Sequence, residues 1–434
     1  MNKKSTPELV EALNAPLMID RLAALRELKI RLDRGDIAQP ALGRDVNNHI
    51  HSQYSFSPYS PTKAVWMAQQ AGLKTAGIMD HDSISGAQEF TVAGQIMGLP
   101  TTIGCEIRAS FAGTSLEGRR INNPDQETVA YIALHGVPHT EIDALDRFLQ
   151  PIRKARGIRN RQMIGRLNAR LVGTGVLLDY DRDVLPLSWH KDGGEVTERH
   201  LLYALALELI AQKPNPADLI DFLENTLGLS VAGKMAGMLQ DLDNPHRAYD
   251  LLGLLKGELV EQFYVPADEE CPPIAQVVAF ARDHGIVLAY PYLGDVGDSV
   301  TGDKKTQKFE DDFLPELFDL LDQLGFKAVT YMPSRNSRTQ LERLRGLCDQ
   351  HQFFQISGED INQPRQSFVC AAMRDPMFAN LFDAAWALIG HERLATESLD
   401  QGIFAEATIR QLPALQSRIE TFRDHALKLY GEAR

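Results

Sequence analysis

Cysteine is scarce in this chain: four residues in 434, and none is spaced as a metal-binding pair or as part of a disulfide ladder. Thiolate metal sites and disulfide scaffolds are therefore set aside. Cys105, Cys271, Cys348 and Cys370 stand far apart, as expected of a protein kept in a reducing cytoplasm. Long apolar runs are missing too, since no stretch reaches the roughly eighteen residues a membrane helix needs. The opening MNKKSTPELVEAL lacks the apolar core of a signal peptide. Positive charge is in deficit, with 45 Lys and Arg against 58 Asp and Glu and a net charge of −13. That balance argues against a general nucleic-acid binder, because phosphate backbones attract basic faces. No membrane partner is expected, and there are no internal repeats or low-complexity segments.

What is present is a rhythm of short apolar runs ending in polar, ligand-type residues. Residues 1–44 carry apolar positions at helical spacing over Pro7–Leu13 and Ile19–Leu32, and read as a helical N-terminal extension. From 45 onward strands alternate with helices. Strands are expected at Val46–Ser52, Thr75–Met79, Thr101–Ile107, Thr128–Leu134, Ile286–Tyr290, Ala328–Met332 and Phe353–Ser357. Helices fall between most of them; the one over Pro61–Ala71 has proline at its start and Gly72 behind it. Alternating βα units imply an α/β fold with a parallel sheet, either a barrel or a doubly wound sheet. In both, functional residues gather beyond the carboxyl ends of the strands.

Residues 139–270 break the rhythm and read as a mostly helical insertion, leaving 45–138 and 271–373 as the barrel and 374–434 as a helical tail. The stretch 141–172 is rich in arginine, including Arg153, Arg156, Arg159 and Arg166. Its expected role is a solvated face with i,i+4 pairing. The polar loop GDVGDSVTGDKKTQ after the fifth strand reads as a lid or as ordinary disorder.

Four strand ends supply groups suited to a divalent metal such as Zn, Mn or Fe. They are His49 with His51, the Asp80-His81-Asp82 run, Glu106, and Asp360. His49 and His51, one residue apart on a strand, project to the same side. Asp80 and Asp82 read equally well as turn-forming or helix-capping groups. Arg108, two residues beyond Glu106, together with Arg335 and Arg365 in loops at the same end, are candidates for binding a substrate anion.

The blocks NNHIHSQYSFSPYSP, GLKTAGIMDHDSISGAQEF, GCEI, RHLLYAL, VLAYP and ISGEDINQPRQSF resemble the polymerase-and-histidinol-phosphatase (PHP) superfamily, in that order and spacing. The resemblance covers roughly 45–370. It implies a distorted seven-stranded β/α barrel, up to three metals at its mouth, and hydrolysis of phosphomonoesters or nucleotide phosphates. Carried over residue by residue, it assigns His49, His51, Glu106 and Asp360 to one metal. Three other ligand positions hold Phe56, Tyr290 and Asn362 instead, so a single ion is expected, with a weak second one through Glu106, His135 or His200. The fourth-strand position falls on His135 or on Tyr131. His200 matches a histidine that some phosphoesterase members bring to the substrate. His81, and after it Asp80, are the candidates for proton transfer.

The function implied is a cytoplasmic, metal-dependent hydrolase acting on a small phosphorylated molecule or nucleotide. The alternative is a catalytically impaired PHP-like protein that binds an anionic ligand or a protein partner. Amide or lactone hydrolysis ranks third, because no carbamylated-lysine bridge or later strand histidines can be found.

Overall fold

The computed structural model describes residues 4–41, 43–296 and 308–432. Part of the loop after the fifth strand, residues 297–307, lies outside them. Two helices open the chain, α1 (Thr6–Ala12) and α2 (Met18–Arg34). The barrel begins with β1 (Val46–Ile50), α3 (Pro61–Gln70), β2 (Thr75–His81), α4 (Ala87–Met97), β3 (Thr101–Ser110) and β4 (Val129–His135). Ser60 caps α3, its Oγ accepting from Lys63 N at 3.0 Å, with Pro61 in the first turn.

The insertion follows: α5 (Ile142–Arg170), α6 (Glu198–Gln212), α7 (Pro216–Asp221), α8 (Gly233–Gln240), α9 (Arg247–Glu258) and α10 (Val260–Phe263). The chain then returns through α11 (Ile274–Asp283), β5 (Val287–Pro291), α12 (Leu314–Leu324), β6 (Ala328–Tyr331), α13 (Arg338–Gln350) and β7 (Phe354–Ser357). The tail holds α14 (Ala379–Glu397), α15 (Glu406–Gln411) and α16 (Leu415–Tyr430).

The seven strands form one sheet in sequence order. The sheet is nearly closed. The segment after β7 pairs with the end of β1, Ile361 N donating to His49 O at 3.1 Å and His51 N to Ile361 O at 2.9 Å. The fold is thus the α/β barrel-like sheet the sequence implies, with one difference. It is not all-parallel, because β4 runs antiparallel to both β3 and β5. Residues 111–128 between β3 and β4 contain no helix, so the chain turns back beside β3 instead of crossing over.

Three apolar regions hold this frame together. The largest wraps the outside of the sheet with its helices and takes in Leu22, Leu25 and Leu28 of α2. Arg21 of α2 is buried against Glu89 of α4, which also accepts from Thr62 N and Oγ1 at 3.1 and 2.6 Å. The N-terminal helices are therefore docked on the barrel. Inside the barrel, Met79, Ala133, Ala289 and Phe354 meet Ala384 and Leu388 of α14, so the tail packs against the starts of the strands. Glu392 of the same helix accepts from Thr102 Oγ1 and Ile103 N at 2.8 and 2.7 Å. The insertion has a core of its own around Leu202, Leu205, Leu223, Leu251 and Phe263. Among the described residues, no helix is long and apolar enough to cross a membrane.

Candidate metal centre

β1 delivers His49 to the barrel mouth, with His51 immediately beyond it. Alternation along the strand turns both rings to one side, with centroids 5.0 Å apart. Gly358, just after β7, makes room for them: a Cβ there would lie 2.6 Å from His49 Cβ. His51 Nδ1 is 3.3 Å from Ser55 Oγ, and Ser55 Oγ donates to Asp80 Oδ1 at 2.7 Å. Asp80 also accepts from Ser52 N and Oγ at 2.7 and 2.6 Å. The loop after β1 is thereby tied to the end of β2.

Ligand atoms of His49, His51 and Glu106 all lie within 4.8 Å of one another, and all three residues are buried. Glu106 Oε2 is 3.8 Å from His49 Nε2 and 3.2 Å from His81 Nδ1. Asp360 joins through His51, with Oδ1 and Nε2 separated by 3.0 Å. His49 Nε2 is shielded from solvent and has no hydrogen-bond partner among the described residues. A buried imidazole nitrogen left without a partner beside a carboxylate costs free energy unless something binds it. The N- and O-donor set suits a divalent ion of the zinc, manganese or iron type.

The electrostatics agree with that fit. Burial pushes the Glu106 carboxyl up to about 8. Burial, reinforced by the charge of His51, holds His49 down to about 4. Burial also opposes charge on His51, but Asp360, Glu106 and Asp80 outweigh it and hold its pKa above the ordinary value. Asp360, half-buried at the rim, stays well below the usual carboxylate range, because His51, His49 and Arg199 offset its loss of solvent.

The other residues singled out in the sequence fall into two groups. His81 lines the cavity and stacks on His51 at 4.7 Å. Asp80 does not reach the cavity; its oxygens are taken by Ser52 and Ser55, so it positions the β1 loop rather than meeting substrate. His135 is inward-facing but lies at the far end of β4, opposite the first residue of β5. The reversal of β4 explains this: it puts Tyr131 at the mouth, where it lines the cavity, and sends His135 toward the floor. His200 caps α6, its Nδ1 accepting from Thr197 N at 3.0 Å, and its ring meets Phe56 edge-on. It does not line the cavity.

None of the three predicted substrate arginines lines it either. Arg108 is buried and paired with Glu270 and Glu198. Arg335 Nε donates to Leu293 O at 3.0 Å. Arg365 grips Asp250 through Nε and Nη2 at 2.8 and 2.9 Å. The expectation for the arginine-rich helix is corrected as well. Arg156 and Arg159 of α5 are buried, turned toward Asp82 and Glu270 instead of solvent. Their partners lie far off in sequence, so spacing along the helix carried no sign of them.

The lost-ligand positions also resolve. Phe56 packs into the insertion core. Tyr290 faces outward, its hydroxyl donating to Glu310 at 3.1 Å, and Pro291 is the β5 residue at the cavity. Asn362 does line the cavity and donates to Asp360 Oδ1 at 2.7 Å.

The cavity measures about 160 Å³ and reaches from His49, His81 and Glu106 to two cationic residues of the insertion, Arg199 and Lys256. Both went unnoticed in the sequence. Arg199 sits beside His200 in RHLLYAL, where the histidine drew the reading; Lys256 carries no sequence signal.

The PHP domain family model matches residues 47–165. That segment is similar to the PHP domain family. A 5′-3′ exoribonuclease of Haemophilus influenzae is 32% identical over 68 residues, 16% of this chain and 25% of that protein. The chain thus matches about a quarter of that curated relative's length. Among solved structures, an amidohydrolase from Chromobacterium violaceum, with bound sulfate and no metal, superposes with a TM-score of 0.51. It is 16% identical, and the match covers 75% of this chain and 90% of that one. A Bifidobacterium adolescentis protein, proposed to be a metal-dependent phosphoesterase, gives 0.49 at 19% identity, covering 79% and 98%. At 16% identity the likeness to the amidohydrolase shows a shared fold alone.

Proposed function

We propose that this protein is a metal-dependent phosphoesterase acting on a small phosphorylated molecule or nucleotide, with one divalent ion held by His49, His51, Glu106 and Asp360. The observation that carries the reading is the pairing of two features: the buried His49–His51–Glu106 cluster, and a cavity that His49 and Glu106 line together with Arg199 and Lys256. When bound, the ion supplies a Lewis acid and a water of lowered pKa. Arg199 and Lys256 attract the substrate's anionic oxygens and orient them. His81, facing both Glu106 and the cavity, is the group we assign to proton transfer. Tyr131 and Pro291 line the same cavity.

The exoribonuclease relative makes 5′-phosphorylated oligoribonucleotides a natural member of the substrate panel. The small cavity and the chain's negative charge favour small phosphoesters over long RNA. The test is elemental analysis of protein expressed with added Mn or Zn, combined with hydrolysis of p-nitrophenyl phosphate, mononucleotides and oligoribonucleotides. About one metal equivalent and metal-stimulated hydrolysis of a small phosphoester are expected. Hydrolysis undiminished in a quadruple alanine variant of His49, His51, Glu106 and Asp360 would sink the reading.

A second reading, a non-catalytic anion-binding descendant, is favoured by Phe56, Tyr290 and Asn362, which stand where the resemblance expects ligands. It predicts less than about a tenth of a metal equivalent alongside retained phosphate binding.

A further inference from the structure

Arg199 reaches the cavity from the first turn of α6, and the residue before it is fastened to the barrel. Glu198 is ion-paired with Arg159 of α5 and lies 3.4 Å from Arg108 Nη2 of β3. Arg108 is itself buried and stands two residues beyond Glu106 on the same strand. It also pairs with Glu270, which receives Arg156 Nε at 3.0 Å and Arg159 Nε at 2.7 Å. Arg156 continues to Asp82 at 2.6 Å, next to His81 at the end of β2. Three guanidinium groups and three carboxylates thus form one cluster that joins β3 and the end of β2 to the insertion.

Such a cluster is a poor source of stability, because desolvation offsets much of the attraction. What it does fix is geometry: an ion removed from water has few alternative partners, so each arrangement is strongly specified. Arg199 Nη1, one residue along, is buried and has no hydrogen-bond partner among the described residues. It is a donor held ready at the cavity wall, and its placement depends on where Glu198 is held.

We propose that Arg108 and Glu198 are a positioning pair that sets Arg199 over the cavity to receive an anionic oxygen of the substrate. The proposal rests on the phosphoester reading above for the identity of that oxygen. Arg108 stays outside the cavity; Glu198 lines a smaller adjoining one that shares His81, Tyr131, Arg199, Lys256 and Asn362 with it. The pair's role is to bind the insertion's cation to the strand that carries Glu106.

The test uses the full-length, Mn-loaded protein with two probes, inorganic phosphate binding by calorimetry and steady-state hydrolysis of p-nitrophenyl phosphate. Loss of a charge-assisted hydrogen bond makes the expected effect of Arg199→Ala about tenfold or more in phosphate affinity, with a matching rise in KM. Glu198→Gln keeps the side chain's size and removes its charge. It is expected to weaken phosphate by a similar factor, with kcat within about twofold and the metal content unchanged. The double variant is expected to be little worse than Arg199→Ala alone, because both act through one contact.

Glu198→Asp, which retains the charge, is expected to recover most of the affinity. Arg108→Gln, which removes the other charge of the pair, carries the same double comparison if Glu198→Gln does not fold. Additive losses, or a charge-removing variant of the pair that binds phosphate as wild type does, overturn the proposal. If wild type binds phosphate but hydrolyses no ester, the catalytic reading fails while the positioning pair stands. No phosphate binding by wild type overturns both.

Discussion

Asn362 Nδ2 donates to Asp360 Oδ1 at 2.7 Å, the same oxygen that faces His51 Nε2 at 3.0 Å. A position that the PHP resemblance marks as a lost ligand therefore orients one that is retained. Partners of this kind fix the direction and basicity of a ligating carboxylate. Replacing Asn362 by Ala leaves His49, His51 and Glu106 in place but releases Asp360 at the rim. Metal affinity is expected to fall by about tenfold or more. Competition with a chromogenic chelator measures it, and unchanged affinity would show that Asp360 needs no such support.

Phe56 illustrates a different fate for a replaced ligand. Its ring is buried, edge-on to His200 at 5.0 Å and Tyr203 at 5.7 Å, and belongs to the insertion core. Phe56→Ala removes a packed aromatic from the seam between barrel and insertion. It is expected to cost about 3–5 kcal/mol in denaturant unfolding, with metal stoichiometry unaltered. A variant that unfolds like wild type but loses metal would place Phe56 in the site after all.

The strands and the pairing of His49 with His51 were legible because their signals are local, whereas Glu106 joined them only through the family resemblance. Alternation with a period of two puts His49 and His51 on one side, and proline and glycine mark the ends of α3. The direction of β4 was not legible, because it depends on how residues 111–128 cross the barrel mouth, which no local spacing records. That one reversal moved His135 away from the site and brought Tyr131 to it. The arginines failed for a related reason. A guanidinium at a strand end looks the same whether it awaits a substrate or a carboxylate, and the partners of Arg108 and Arg365 lie 162 and 115 residues away in Glu270 and Asp250. Arg199 was overlooked because a charged residue in a first helical turn is common and the neighbouring histidine was the rarer sign.

Arg365 can be separated from the substrate by experiment. Its guanidinium is committed to Asp250 and Asn244 of the insertion, and its side chain is 44% exposed. Asp250 is buried and keeps Asn244 as a partner, so Arg365→Ala is expected to cost about 1–2 kcal/mol. KM for p-nitrophenyl phosphate is expected to stay at the wild-type value. A rise in KM of tenfold, with stability unchanged, would return Arg365 to the substrate-binding set.

His391 gives the fold a sensitivity to acid that is independent of the metal centre. It lies buried in α14 beneath Gly136, and its Nδ1 accepts from Ile403 N at 3.0 Å. That bond requires an unprotonated Nδ1, and burial holds the pKa down to about 4. Between pH 4 and the unfolded value near 6.5, the folded protein binds fewer protons here than the unfolded chain. Stability from this residue is therefore complete above that range and is lost as the pH falls through it, by on the order of 3 kcal/mol. His391→Asn keeps an acceptor for Ile403 N and removes the titration. Other buried histidines also titrate, so the informative quantity is the difference between the two proteins. Urea unfolding at pH 7 and pH 4.5 is expected to show a smaller acid loss for the variant than for wild type. Equal losses would mean that the interior around Gly136 accepts the charged imidazole without opening.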